Sequence, residues 1–134
     1  MVVNEARLRV RYAETDQMGI VYHANYLVWM EVGRVEYFRQ AGLRYADFET
    51  MTGLRLAVVE AGCRYLSPAR YDDEIAVSTR LGVSNARMIR FEYEIRRAED
   101  STLLAAGFTK HIFLDEAMRP RKLPEGLRPL FGFA

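Results

Sequence analysis

Between Asp16 and Gly42 the chain reads DQMGIVYHANYLVWMEVGRVEYFRQAG. Asp16 lies in a loop with Gly19; His23 and Asn25 follow, then Glu31 and Arg34. A carboxylate beside an activated carbonyl can attack it or take a proton from water. Free N–H groups at the start of a helix can hold the negative oxygen that then forms. His23 can hydrogen-bond a substrate, orient the loop, or pack where the helix begins. Asn25 suits an N-cap, its side-chain oxygen accepting a helix N–H. Tyr22 and Tyr26 fit pocket lining or core better than reactive roles. Glu31 falls between Leu27 and Phe38 on an apolar face, where an unpaired carboxylate is costly. Arg34, three residues on, can pair with it; the sharper reading makes Glu31 a second acid/base.

These groups need a helix behind them, and a 100° step places one over the same stretch. Leu27, Met30, Arg34, Phe38 and Ala41 share a face, and Val28, Trp29 and Val32 make the first two turns apolar nearly all round. Such a helix is expected to be buried on most sides, with Gly42 as its stop. Residues 7–12 alternate as a half-buried strand, Leu8, Val10 and Tyr12 inward. Residues 43–54 read as a connection with one short helical turn. Strand patterns follow at 56–66, 74–83, 88–96 and 102–114, and the Pro-containing tail from Met118 reads as irregular. Short turns between strands imply antiparallel neighbours. The expected fold class is α+β: one antiparallel sheet of about five strands curled round one long helix, as a single domain over 1–134. The outer face of the sheet is mixed rather than wholly polar, which suggests that part of it packs on another subunit.

The totals narrow the function. The 134 residues are 50% hydrophobic and 28% charged, with a formal net charge of +1. That gives no bulk electrostatic case for nucleic acid or membrane as partner. The single cysteine, Cys63, excludes an internal disulfide framework and suits a reducing cytoplasm. MVVNEARLRV lacks the apolar core of a signal peptide, so a cytoplasmic protein without stable membrane insertion is expected. His23 and His111 are far apart in the chain, and no metal-ligand cluster, Gly-rich phosphate loop or nucleophile elbow is visible.

The run Asp16-x-x-Gly19-x-Val21-Tyr22-His23-x-Asn25-Tyr26, followed by a helix with Glu31 and Arg34, resembles the hot-dog-fold acyl-CoA thioesterases. It is most similar to their 4-hydroxybenzoyl-CoA and Tol-Pal-associated thioesterase branch. RVRYAETD and Tyr65-x-x-Pro68-Ala69 fall in family order, so the resemblance covers essentially the whole chain. It implies hydrolysis of a coenzyme A thioester to free acid and CoA. Asp16 would be nucleophile or general base, and the backbone N–H near His23 the oxyanion donor. Gly19, Tyr22, Asn25 and Tyr26 would lie on the substrate side. It also implies sites formed where protomers meet, in a dimer or a tetramer of dimers. Coenzyme A is part of the substrate, so no separate cofactor is implied. Some hydroxybenzoyl enzymes carry tyrosine at the position of His23 and the Tol-Pal-associated type histidine, which points away from hydroxybenzoyl specificity. Other hot-dog branches place their catalytic carboxylate on the helix, where Glu31 lies. Among the basic residues Arg64, Arg87, Arg90 and Lys110, the turn-proximal Arg87 and Arg90 are the candidates for the CoA phosphates. Rival functions are a hot-dog hydratase or dehydratase and a non-catalytic acyl-CoA-binding module.

Overall fold

The structure, a computed structural model, describes residues 3–132. Its elements are β1 (Val3–Arg9), a 3-10 turn (Tyr12–Glu14), α1 (Asn25–Gln40), α2 (Tyr45–Thr52), β2 (Arg55–Tyr65), β3 (Glu74–Leu81), β4 (Met88–Arg97), β5 (Leu103–Leu114), β6 (Pro120–Arg121) and a 3-10 helix (Glu125–Phe131). The long strands are antiparallel in the order β1-β3-β4-β5-β2, with β6 added beside β5. This is the α+β hot-dog arrangement. β2 is left at an edge because the helices separate it from β1, while the later strands join through short turns.

Period-2 alternation puts Ile75, Val77 and Thr79 of β3, Phe91, Tyr93 and Ile95 of β4, and Ala105, His111 and Phe113 of β5 in the core. α1 covers them with Tyr26, Trp29, Met30, Tyr37 and Phe38. Burying each large apolar side chain here is favourable by about 1.5–3 kcal/mol. Gly33 lets helix and sheet approach closely. A Cβ there would collide with Thr79 Oγ1 and lie 2.9 Å from Val77 Cγ1.

Several expectations need correction. The helix is not buried on most sides: Leu27, Val28, Glu31 and Val32 face outward and are exposed. The seam against the sheet is centred on Trp29, Gly33 and Tyr37, flanked by Met30, Arg34 and Phe38 of the expected face, while Leu27 and Ala41 fall outside it, because Gly33 is where the backbone can touch the strands. The first strand runs earlier than 7–12. Leu8 and Val10 do turn inward, but the chain coils at Tyr12, which is exposed and meets Tyr71 edge-on at 5.5 Å. Residues 43–54 hold an eight-residue helix, α2, anchored by buried Phe48. The tail is ordered over its described part, since Leu123 and Phe131 are drawn into the core; its last two residues lie outside the described residues. No helix among the described residues is long and apolar enough to cross a membrane.

One polar row runs through this core. The Tyr93 hydroxyl and the Thr109 hydroxyl lie 2.7 Å apart, and Thr109 Oγ1 is 2.7 Å from His111 Nε2. His111 is wholly buried and its Nδ1 makes no hydrogen bond of normal geometry. Burial, helped by the Arg34 charge and opposed only weakly by the Leu56 backbone, lowers its pKa from 6.5 to about 4. A folded pKa below the unfolded one means that protonation favours unfolding. The stabilisation from neutral His111 is therefore full above about pH 6.5 and lost progressively towards about pH 4. Melting curves of wild type and His111→Phe should show the wild type losing ground across that interval and a constant difference above it. A difference independent of pH would remove His111 as a cause of acid lability.

Candidate active site

Asp16 opens a tight turn. Its backbone N–H donates to the Ile20 carbonyl and its own carbonyl accepts from Gly19 N–H, both at 2.9 Å. Thr15 and Val21 bridge across the base of the turn. Gly19 closes it at φ +78°, a conformation that costs other L residues about 1–2 kcal/mol. Asp16 Oδ1 accepts Met18 N–H at 2.9 Å, which fixes the rotamer and leaves Oδ2 without a partner among the described residues. The loop is tied to the segment before β3 by Val21 N–H on Ala69 and by the reciprocal Val10–Asp73 and Asp72–Val10 bonds.

Asp16, His23 and Tyr26 line one cavity of about 360 Å³, closed on its far side by Tyr65, Leu66 and Pro68. The Tyr65 hydroxyl donates to the His23 carbonyl at 2.9 Å. Burial and the neighbouring Cys63 push the Tyr65 pKa up to about 12, so this donor stays protonated through the neutral range. Tyr26 packs edge-on against the same ring at 5.1 Å. Among the described residues neither the His23 nor the Ala24 backbone N–H meets an acceptor, whereas Asn25, Tyr26 and Leu27 already donate backward. The two residues just before α1 therefore keep backbone N–H groups without an acceptor, and one of them, His23, lines the cavity.

The other candidates are placed as follows. Asn25 is not the N-cap, which is Ala24. Its amide instead donates to the Glu14 carbonyl at 2.8 Å, because the loop's return arm passes there. Tyr22 is exposed and tilts over His23 at 4.5 Å. Glu31 and Arg34 do not pair: among the described residues no ion pair joins them. Glu31 lies on the open side of α1, while Arg34 turns inward and bears on Tyr93 and His111. Both border a separate cavity of about 260 Å³ with Tyr45 and Glu49. Arg90 is engaged on the outer sheet face, its Nε 3.1 Å from Glu92 and its guanidinium 4.0 Å over the Phe108 ring. Arg87 is exposed at the β3–β4 turn. The Asp16 loop sits at the Asp73 end of the sheet, so the ten residues of β4, about 30 Å of strand, separate Arg87 from its own Asp16.

Glu14 was missed by sequence reasoning. It is a buried carboxylate bonded to Trp29, and its only signal was an acidic residue two positions before Asp16. Tyr65 had entered only as part of a family pattern, yet it forms the cavity wall.

Residues 10–131 match the family model described as Thioesterase-like superfamily. The chain is 40% identical to YneP of Bacillus subtilis over 121 residues, 90% of this chain and 86% of that protein. It is 31% identical to the acyl-CoA thioester hydrolase YbgC of Escherichia coli, over 90% of this chain and 89% of that one. Among solved structures, a DHNA-CoA thioesterase from Staphylococcus aureus superposes with a TM-score of 0.87 at 31% identity, covering 91% of this chain and 81% of that one.

Proposed function

The chain belongs to the thioesterase-like superfamily, and from that premise we propose that it hydrolyses acyl-CoA thioesters with Asp16 as its catalytic carboxylate. The observation that supports this reading is that Asp16 and His23 line one cavity, while the His23 backbone N–H meets no acceptor among the described residues. A thioester carbonyl set between them is polarised by the N–H groups at the start of α1. Asp16 then either takes a proton from an attacking water or attacks the carbonyl carbon itself. In the first route the tetrahedral oxyanion collapses, the C–S bond breaks, and the CoA thiolate recovers the proton from Asp16. In the second the thiolate leaves first and water cleaves the resulting anhydride. The test is a panel of acyl-CoA thioesters varied in chain length and aromaticity, assayed by free thiol. Turnover by none of them would defeat the proposal.

We further propose that each site is completed by a second copy. Leu27, Val28 and Val32 on α1 and Val58 and Val59 on β2 are exposed apolar residues beside an unpaired strand edge, a surface that invites pairing. Arg87, too far to serve its own Asp16, is free to reach CoA phosphate at a neighbour's. Arg87→Ala is expected to raise KM with kcat nearly unchanged, since a remote phosphate contact contributes alike to ground and transition states. Arg90→Ala should matter less, because Glu92 already holds Arg90. Mixing inactive Asp16→Asn with Arg87→Ala subunits should restore normal-KM activity in hybrids. A folded monomer with full activity, or mixing without effect, would sink the two-copy site.

A further inference from the structure

One buried carboxylate beside the site takes no part in that chemistry. Glu14 is 5% exposed, and its carboxylate accepts three N–H bonds: Arg11 N–H at 2.8 Å, Arg11 Nη2 at 3.3 Å and the Trp29 indole at 2.9 Å. Its backbone carbonyl accepts two more, from Tyr22 N–H at 2.9 Å and the Asn25 amide at 2.8 Å. Arg11 follows β1, Tyr22 belongs to the loop's return arm, and Asn25 and Trp29 lie in the first turns of α1. One residue thus fastens strand end, loop and helix together. Only Thr15 separates it from Asp16.

We propose that Glu14 is a positioning residue, an anionic latch that fixes the Asp16 loop against the start of α1. The proposal rests on the catalytic reading of Asp16 given above. The tip of that loop, residues 17–19, is exposed and offers no packing to hold the carboxylate in place. The bonds made at Glu14 therefore join the Thr15–Val21 bridge and the Val21–Ala69 bond in setting where Asp16 lies relative to the start of α1. Burial opposes ionisation of Glu14, but the Arg11 N–H, the Trp29 indole and the Arg11 guanidinium together hold its pKa below the usual value. The latch is thus charged at neutral pH, and bonds to an ionised acceptor are the strong kind. Geometry of this sort matters to rate, because a misplacement of about 1 Å can cost about 10²-fold.

Glu14→Gln keeps the shape but turns one acceptor oxygen into an NH2 group. That NH2 must face an N–H donor, so one limb of the latch opens. The expected result is a fall in kcat of about 10- to 100-fold with KM little changed. Trp29 is the chain's single tryptophan, so its indole N–H gives one amide-region resonance that reports the latch directly; it should shift in the variant. Trp29→Phe opens the indole limb while keeping an aromatic ring in the core. The double variant should lose less kcat than the two single losses combined, because both loosen one hydrogen-bonded unit. A lowered Tm with wild-type kcat per folded molecule in both single variants would make Glu14 merely structural and overturn the proposal. Asp16→Asn run alongside separates the failures: full activity there defeats the Asp16 reading itself. An inactive Asp16→Asn with normal Glu14→Gln and Trp29→Phe defeats only the latch.

Discussion

Asp16→Asn is expected to lower kcat by about 10²–10⁴-fold, the range usual for a positioned proton-transfer group, with Tm and KM close to wild type. The amide keeps the size of the side chain, and its oxygen can still accept the Met18 N–H that sets the rotamer. What goes is the basicity and nucleophilicity of the second oxygen, which no described residue engages. If Asp16 acts as nucleophile and water opens the anhydride at the Asp16 carbonyl, one turnover in ¹⁸O-water should label the enzyme; general-base catalysis, or water attack at the acyl carbonyl, places the label in the product acid. Glu31→Gln serves as the counterpart. The exposed Glu31 makes no ion pair with Arg34 among the described residues, so stability should stay within about 0.5 kcal/mol, as for ordinary surface positions. Loss of kcat in Glu31→Gln with Asp16→Asn still active would move the catalytic carboxylate onto α1.

Gly33→Val should be the most damaging single change to the fold. A Cβ at Gly33 already collides with Thr79 Oγ1 and presses Val77, and valine adds two methyl groups in the same direction. Thr79 and Val77 are wholly buried in β3, so neither can swing out into solvent to relieve the contact. Overpacking of this kind costs about 1–3 kcal/mol, occasionally more, and the upper part of that range is expected here. For a domain of this size that means a fall in Tm on the order of 10 °C. Gly33→Ala is the informative control. Its smaller clash is opposed by about 1 kcal/mol of better helix propensity, so it should lose much less. Thermal melts that rank alanine and valine equally would show that valine's two further methyl groups add nothing to the clash of the Cβ.

The parts of this architecture that alternate or repeat were readable from residue order. Ile75, Val77, Phe91, Tyr93 and Phe113 declared their strands, and Leu27 to Ala41 declared a helix. The face of that helix was misjudged because Gly33 carries no hydropathy. Close approach depends on what is absent from its side chain, and a wheel built from apolar residues cannot register it. The Glu31–Arg34 pairing failed for a related reason: spacing showed that they could meet, not that Arg34 had Tyr93 and His111 to turn towards. That Asp16 and His23 would lie together, as they do on one cavity, was legible through their motif. Glu14 and Tyr65 were not, since a carboxylate bonded to an indole and a phenol bonded to a carbonyl follow from long-range folding, with no local spacing to mark them. The short helix α2 was hidden by its length, and the tail by prolines that obscured the apolar Leu123 and Phe131.

The bond from Tyr65 to the His23 carbonyl joins the end of the edge strand β2 to the peptide that begins α1. Any chain that pairs along β2 therefore acts on a strand whose last residue holds the His23 carbonyl, one peptide from the proposed oxyanion donor. If copies do associate there, association and substrate binding would be linked through that phenol. If pairing at the edge tightens the grip on an acyl thioester, the thioester must tighten the pairing by the same factor. Dilution would then weaken binding before it unfolds anything, and saturating substrate would hold the assembly together at concentrations where the empty protein comes apart.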